Sequence, residues 1–183
     1  MDCATNAIAF WNHLSHLTDA NGVKHLHVTT YNIYSAIINY SDYGEIPPTH
    51  KLSPVQRILC TLNKNGGTLI LGRLENNNED LRYNMKIWPK INWRFVEDAH
   101  TKMVIYTNRD DVTKVWVGSA NLSGSIRPNL MLEINDNKQR KLVLEHYIAL
   151  SNQSIKLKSA LKLASRNASI KLKSALKLAS RNA

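Results

Sequence analysis

Residues 99–125 read A-H-T-K-M-V-I-Y-T-N-R-D-D-V-T-K-V-W-V-G-S-A-N-L-S-G-S. A polar pair, His100 and Lys102, enters an apolar run with the composition of a strand. A polar turn follows, then a second strand that ends in Gly118-Ser119-Ala120-Asn121. Alternate side chains of a strand point to one face. His100 and Lys102 therefore share a face, and Ser119 and Asn121 share another, short one. If the two strands pair as a hairpin, both sets reach the same end of the sheet. A nucleophile or base, a cation and an amide donor then converge on one spot. That combination suits an anionic tetrahedral centre such as a phosphodiester.

On the downstream side, Asn129 to Asn135 alternates as a strand carrying Glu133, and Lys138 to Leu150 reads as a helix. Upstream, residues 4–18 place Ile8, Trp11, Leu14 and Leu17 at helical spacing, and Gly22 stops that helix. Lys24 to Tyr34 reads as a strand. Ser35 to Tyr40 opens a short helix, and Gly44 with Pro47-Pro48 forces a loop. Ser53-Pro54 starts a helix with an apolar stripe at Val55, Ile58, Leu59 and Leu62, closed by Asn65-Gly66-Gly67. Thr68 to Leu74 is a short apolar run of the kind found in a buried strand. Asn76 to Asn78 is a loop, Glu79 to Trp88 a weak helix, and Asn92 to Val96 a strand. Helices alternate with strands early and strands cluster late. The expected fold class is α/β, with a mixed β-sheet flanked by helices.

The 183 residues carry 24 Lys and Arg against 14 Asp and Glu, a formal charge of +10. Eight of those cations and no acid lie in residues 154–183, leaving +2 over the first 153 residues. The tail is a direct repeat: S-I-K-L-K-S-A-L-K-L-A-S-R-N-A fills 154–168 and recurs unchanged as 169–183. In the first copy Leu157, Ala160, Leu161 and Ala164 fall on one helical face, away from Lys156, Lys158, Lys162 and Arg166. The expected organisation is a domain over 1–150 and a basic amphipathic tail over 151–183. Such a tail favours polyanions, nucleic acid before a membrane surface. Two cysteines make no disulfide framework, and neither a signal peptide nor a membrane-spanning run is evident. The expectation is a reduced, soluble, cytoplasmic protein. The pairs His13–His16 and His25–His27 are each at most half a metal site, so no metal and no cofactor is assigned.

His100-x-Lys102 followed by Gly118-Ser119-x-Asn121 resembles the signature of the phospholipase D superfamily. That signature is H-x-K, four residues, Asp, six residues, then G-S-x-N. Here Thr107 stands at the Asp position, and Asn108-Arg109-Asp110-Asp111 forms a longer turn. The resemblance covers residues 1–150 and is to single-motif nucleases of that superfamily. It implies metal-independent phosphodiester cleavage through a phosphohistidine. His100 would be the nucleophile, Lys102, Ser119 and Asn121 would hold the phosphoryl oxygens, and Glu133 would orient the imidazole. Two histidines are needed and one such motif is present, so the resemblance further implies a C2 homodimer sharing one site. Arg109 and Lys114, with Arg94 and Arg127, tilt the substrate toward nucleic acid, DNA ahead of RNA. Two other readings stand beside the nuclease. One is a nucleic-acid-binding protein of the same fold that cleaves weakly or not at all. The other is a lipid phosphodiesterase.

Overall fold

Local chemistry accounts for where most elements begin and end. In the computed structural model, which describes residues 3–33, 51–74, 79–123 and 128–179, helix α1 (Ala7–Asn21) starts at Asn6. The Asn6 side chain accepts a hydrogen bond from the Ala9 amide at 2.8 Å, an N-cap. The Ser53-Pro54 start of α2 (Pro54–Asn65) is a full capping box. Gln56 donates its amide to Ser53 Oγ at 3.2 Å, and its side chain accepts from the Ser53 amide at 2.9 Å. Gly66, at φ 66°, closes the helix in the left-handed conformation. Further on come α3 (Glu79–Ile87), α4 (Asn137–Gln153, capped by Asp136) and α5 (Leu157–Ala179).

Among the described residues, eight strands form one mixed sheet in the order β1-β7-β6-β5-β2-β3-β4-β8. β2 (His25–Thr30), β3 (Thr68–Leu71) and β4 (Asn92–Phe95) run parallel. β5 (Lys102–Thr107), β6 (Thr113–Gly118) and β7 (Pro128–Glu133) continue antiparallel from β2. The class is α/β with a mixed sheet flanked by helices, as expected. The residues of both β3 and the interior of β5 are buried because both sheet faces are covered. On the first face Phe10, Trp11, Ile58 and Leu62 of α1 and α2 pack with Leu26, Val28, Leu69, Val104 and Trp116. On the second, Leu150 of α4 packs with Ile70, Met103, Ile105 and Val115.

Two departures from the sequence reading concern the chain ends. Residues 3–6 do not join the first helix; they form β1 (Cys3–Asn6) along the free edge of β7, pairing Cys3 with Leu132. The first copy of the repeat lies inside the domain rather than in a separate tail. Its Ile155–Lys156 form β8, antiparallel to Phe95 and Arg94 of β4. Leu157, Ala160 and Leu161 are buried, with Leu157 and Leu161 in the first-face core. The domain therefore continues past residue 150, because the apolar stripe of the first copy covers surface the sheet and α3 would otherwise expose. The expected elements at 35–50 and 76–78 lie outside the described residues.

Candidate functional site

The carboxyl ends of β2 and β3 meet the start of β5 and the end of β6. Lys102 pairs directly with Gly118, so the two halves of the motif do arrive at one end of the sheet. A crevice at the carboxyl ends of parallel strands is where open α/β sheets bind ligands. Gly72 allows the close approach that seats His100 here: a Cβ on it would fall 2.0 Å from the Ala99 carbonyl oxygen. The Asp98 amide also donates to the Gly72 carbonyl at 2.9 Å.

His100 is exposed, and its imidazole stacks on the Tyr31 ring at 4.0 Å between centroids and 18° between planes. Two cations address the same ring, Lys102 Nζ at 5.4 Å and Arg73 Cζ at 5.9 Å from its centroid. Lys102 also donates to the His100 carbonyl at 2.5 Å. Partial burial lowers the Lys102 pKa from its ordinary value. An anion at this point would restore the solvation the ammonium has lost.

Asn121 fixes Tyr31. Its Oδ1 accepts from the Tyr31 amide at 3.2 Å and lies 3.4 Å from Thr30 Oγ1, whose hydroxyl donates to the Asn32 carbonyl at 2.7 Å. The Leu122 amide donates to Thr30 Oγ1 at 2.9 Å, and the Trp11 indole donates to the Asn121 carbonyl at 2.9 Å. With Oδ1 engaged by an obligate donor, the NH2 end of the amide is the side available to a ligand. Ser119 is turned the other way. Its hydroxyl accepts from the Leu130 amide at 3.0 Å and lies 3.4 Å from Asn129 Oδ1, extending the β6–β7 ladder. The expectation that Ser119 and Asn121 share a face is corrected: one serves β7 and the other β2.

Of the other expected site residues, Arg109 and Lys114 lie toward the opposite end of the hairpin, and Glu133 is level with its middle. Lys102 and Thr107 are the two ends of β5, five residue steps or about 16 Å of chain apart, and the Thr107 hydroxyl pairs with Thr113 at 3.0 Å. In the turn, Asn108 Oδ1 accepts from the Asp110 and Val112 amides at 2.9 and 2.8 Å, and Asp111 pairs with Lys24 at 2.6 Å. The enlarged turn is thus self-capped. The Arg109 side chain lies over Gly22, where an added methyl would meet Nε at 2.7 Å. Lys114 donates to both oxygens of Glu133, at 3.1 and 3.3 Å. Glu133 is therefore the ion-pair partner of Lys114. Its register mate is Trp116, which faces Val104, four positions along from His100. Arg94 is also committed elsewhere: its guanidinium binds the side chain and carbonyl of Ser154. Arg127 lies outside the described residues.

Tyr31, Arg73 and Thr30 are the residues that sequence reasoning missed. Each ends one of the parallel strands or lies within two residues of its end, and that position was the available signal. Among the described residues no group of three or more His, Cys, Asp or Glu is placed to hold a metal ion. No described helix is long and apolar enough to cross a membrane.

No protein family model matches the chain, and no curated protein matches it. Among solved structures it is similar to TrmBL2, described as an archaeal chromatin protein with a novel mode of DNA binding. The TM-score is 0.52 at 9% identity, over 85% of this chain and 53% of that one. The present chain spans about half the length of TrmBL2. At that identity the likeness is one of fold.

Proposed function

We propose that this protein binds nucleic acid, with the carboxyl-end crevice holding a backbone phosphate. The observation that carries the proposal is the convergence of Lys102 and Arg73 on the Tyr31 ring beside His100. Two cations give the electrostatic part of the interaction, and the exposed His100 imidazole, stacked on the Tyr31 ring at the same point, gives a surface on which a base can stack. The motif pair shared with the phospholipase D superfamily supports a phosphodiester as the group recognised. The fold likeness to a DNA-binding chromatin protein supports duplex DNA as the first ligand to try.

Fluorescence anisotropy with a labelled duplex tests this across a salt series. Replacing Lys102 and Arg73 with Met removes two phosphate contacts and should flatten the slope of log K against log salt by about 1.8 for B-DNA. An unchanged slope places the phosphate elsewhere. Single-stranded DNA and RNA in the same series rank the ligands.

The exposed, ring-stacked imidazole of His100 favours a second reading, metal-independent cleavage through a phosphohistidine in a homodimer. The commitment of Glu133 to Lys114 and of the Ser119 hydroxyl to β7 leaves that chemistry less support than binding. Cleavage in EDTA that is abolished by His100→Ala, with the duplex still bound, would establish it.

A further inference from the structure

Fifteen residues of this chain occur twice, and the structure shows what the first occurrence does. Arg94 grips Ser154 through its side chain and carbonyl. Ile155 and Lys156 add a strand to the edge of β4. Leu157 and Leu161 fill the first-face core, and Arg82 Nη2 donates to Ser165 Oγ at 3.1 Å. The second copy repeats every one of these side chains: Ser169, Ile170, Leu172, Leu176 and Ser180 stand for Ser154, Ile155, Leu157, Leu161 and Ser165.

The two copies nevertheless take different conformations. Ser154-Ile155-Lys156 is a helix cap and a strand, whereas Ser169-Ile170-Lys171 is interior to α5, with Ile170 exposed. Identical residues have identical intrinsic preferences. The difference is made by the site that receives the first copy, an open β4 edge beside an apolar slot.

We propose that this slot is a docking site for the fifteen-residue segment as such, and that residues 169–183 occupy it whenever residues 154–168 leave it. All recognition contacts are recoverable by a shift of one repeat. The added cost is closure of the fifteen displaced residues as a loop between α4 and the docked copy. Chain-closure statistics put that cost on the order of sixty-fold in population. The first register therefore dominates, and the second is reached by detaching only the edge strand β8 from the sheet. In either register one segment with four Lys and Arg lies outside the slot. Docking within the chain is favoured over docking on a neighbour because the linker holds the second copy at high effective concentration.

The test uses full-length protein throughout. Leu157→Asp with Leu161→Asp disables the first copy, Leu172→Asp with Leu176→Asp the second, and a quadruple variant both. The second-copy variant should unfold like the parent. The first-copy variant should stay folded, its thermal midpoint lowered by the register cost, on the order of 5–10 °C for a chain of this size. In that variant, amide exchange protection should pass from residues 157–165 to residues 172–179. The quadruple variant should lose far more stability than either. First-copy and quadruple variants falling equally would overturn the proposal, as would a quadruple variant as stable as the parent. Protection that returns only with concentration-dependent dimers would replace it with exchange between chains.

Discussion

Glu133 is where the resemblance and the structure assign different jobs, and the two can be separated by substitution. Lys114 Nζ lies 3.1 Å from Glu133 Oε1, the lysine side chain 34% exposed and the glutamate 12%. At an effective dielectric of ~20 the attraction is about 5 kcal/mol before desolvation. Removing the carboxylate and the ammonium from water offsets most of it. The exposures then predict an asymmetry. Lys114→Met strands a carboxylate with little access to water and should cost about 2–4 kcal/mol. Glu133→Gln leaves a lysine that can reach solvent, and the amide still offers an acceptor, so about 1–2 kcal/mol is expected. The pair Lys114→Met with Glu133→Leu should recover much of the loss, since neither charge is then buried. Urea unfolding followed by tryptophan fluorescence is a suitable assay, because Lys114 Nζ sits 5.9 Å from the Trp116 ring centre. DNA affinity should change in none of the three. If Glu133→Gln left stability intact but removed DNA binding or cleavage, Glu133 would be acting on His100 and the assignment would fail.

Three other perturbations follow from named contacts. Gly118→Ala puts a methyl 1.8 Å from the Leu130 carbonyl oxygen and 2.9 Å from Met131 Cα. Both are backbone atoms of the paired strand, so β6 and β7 must part; a loss above about 3 kcal/mol is expected, and a variant with parental thermal stability would contradict the register. Asn121→Ala removes the acceptor for the Tyr31 amide and should cost about 1–3 kcal/mol while weakening DNA binding with Tyr31 unchanged in sequence; tight binding in that variant would mean Tyr31 is held by other contacts. His27 lies under Tyr147 of α4, and burial first, then the charge of neighbouring His25, lowers its pKa from 6.5. The unfolded chain therefore binds a proton that the native one resists. Stability is complete above pH 6.5 and falls as pH drops from there toward the lowered value. His27→Phe should flatten that part of a stability-against-pH curve, and an identical curve would show that His27 does not report the acid loss.

Much of this architecture is legible in residue order. Ser53, Pro54 and Gln56 announce α2 with its capping box, and Asn65-Gly66 ends it. T-L-I-L announces a strand buried on both faces. Residues 102–118 are a hairpin whose motif halves meet at Lys102 and Gly118. All of these are local matters: capping, φ preference and hydrophobic period act within a few residues. The site was legible only in part. Proximity in sequence suggested that Arg109 and Lys114 serve the site, but β5 and β6 carry them to the far end of the hairpin. Glu133 had the right chemistry to orient an imidazole, yet the register of β7 sets it beside Lys114. Tyr31 and Arg73 carry no motif; they matter because parallel β2 and β3 end side by side.

The repeat marks the division between the two kinds of information most plainly. Sequence alone determined that residues 154–168 and 169–183 share one amphipathic, basic pattern. It could not say that one Ser-Ile-Lys would be a strand and the other part of a helix. Only the folded domain decides that, because an unpaired β4 edge and an apolar slot stand within reach of the first copy. The backbone hydrogen bonds and buried leucines they provide outweigh the small local preference of those three residues.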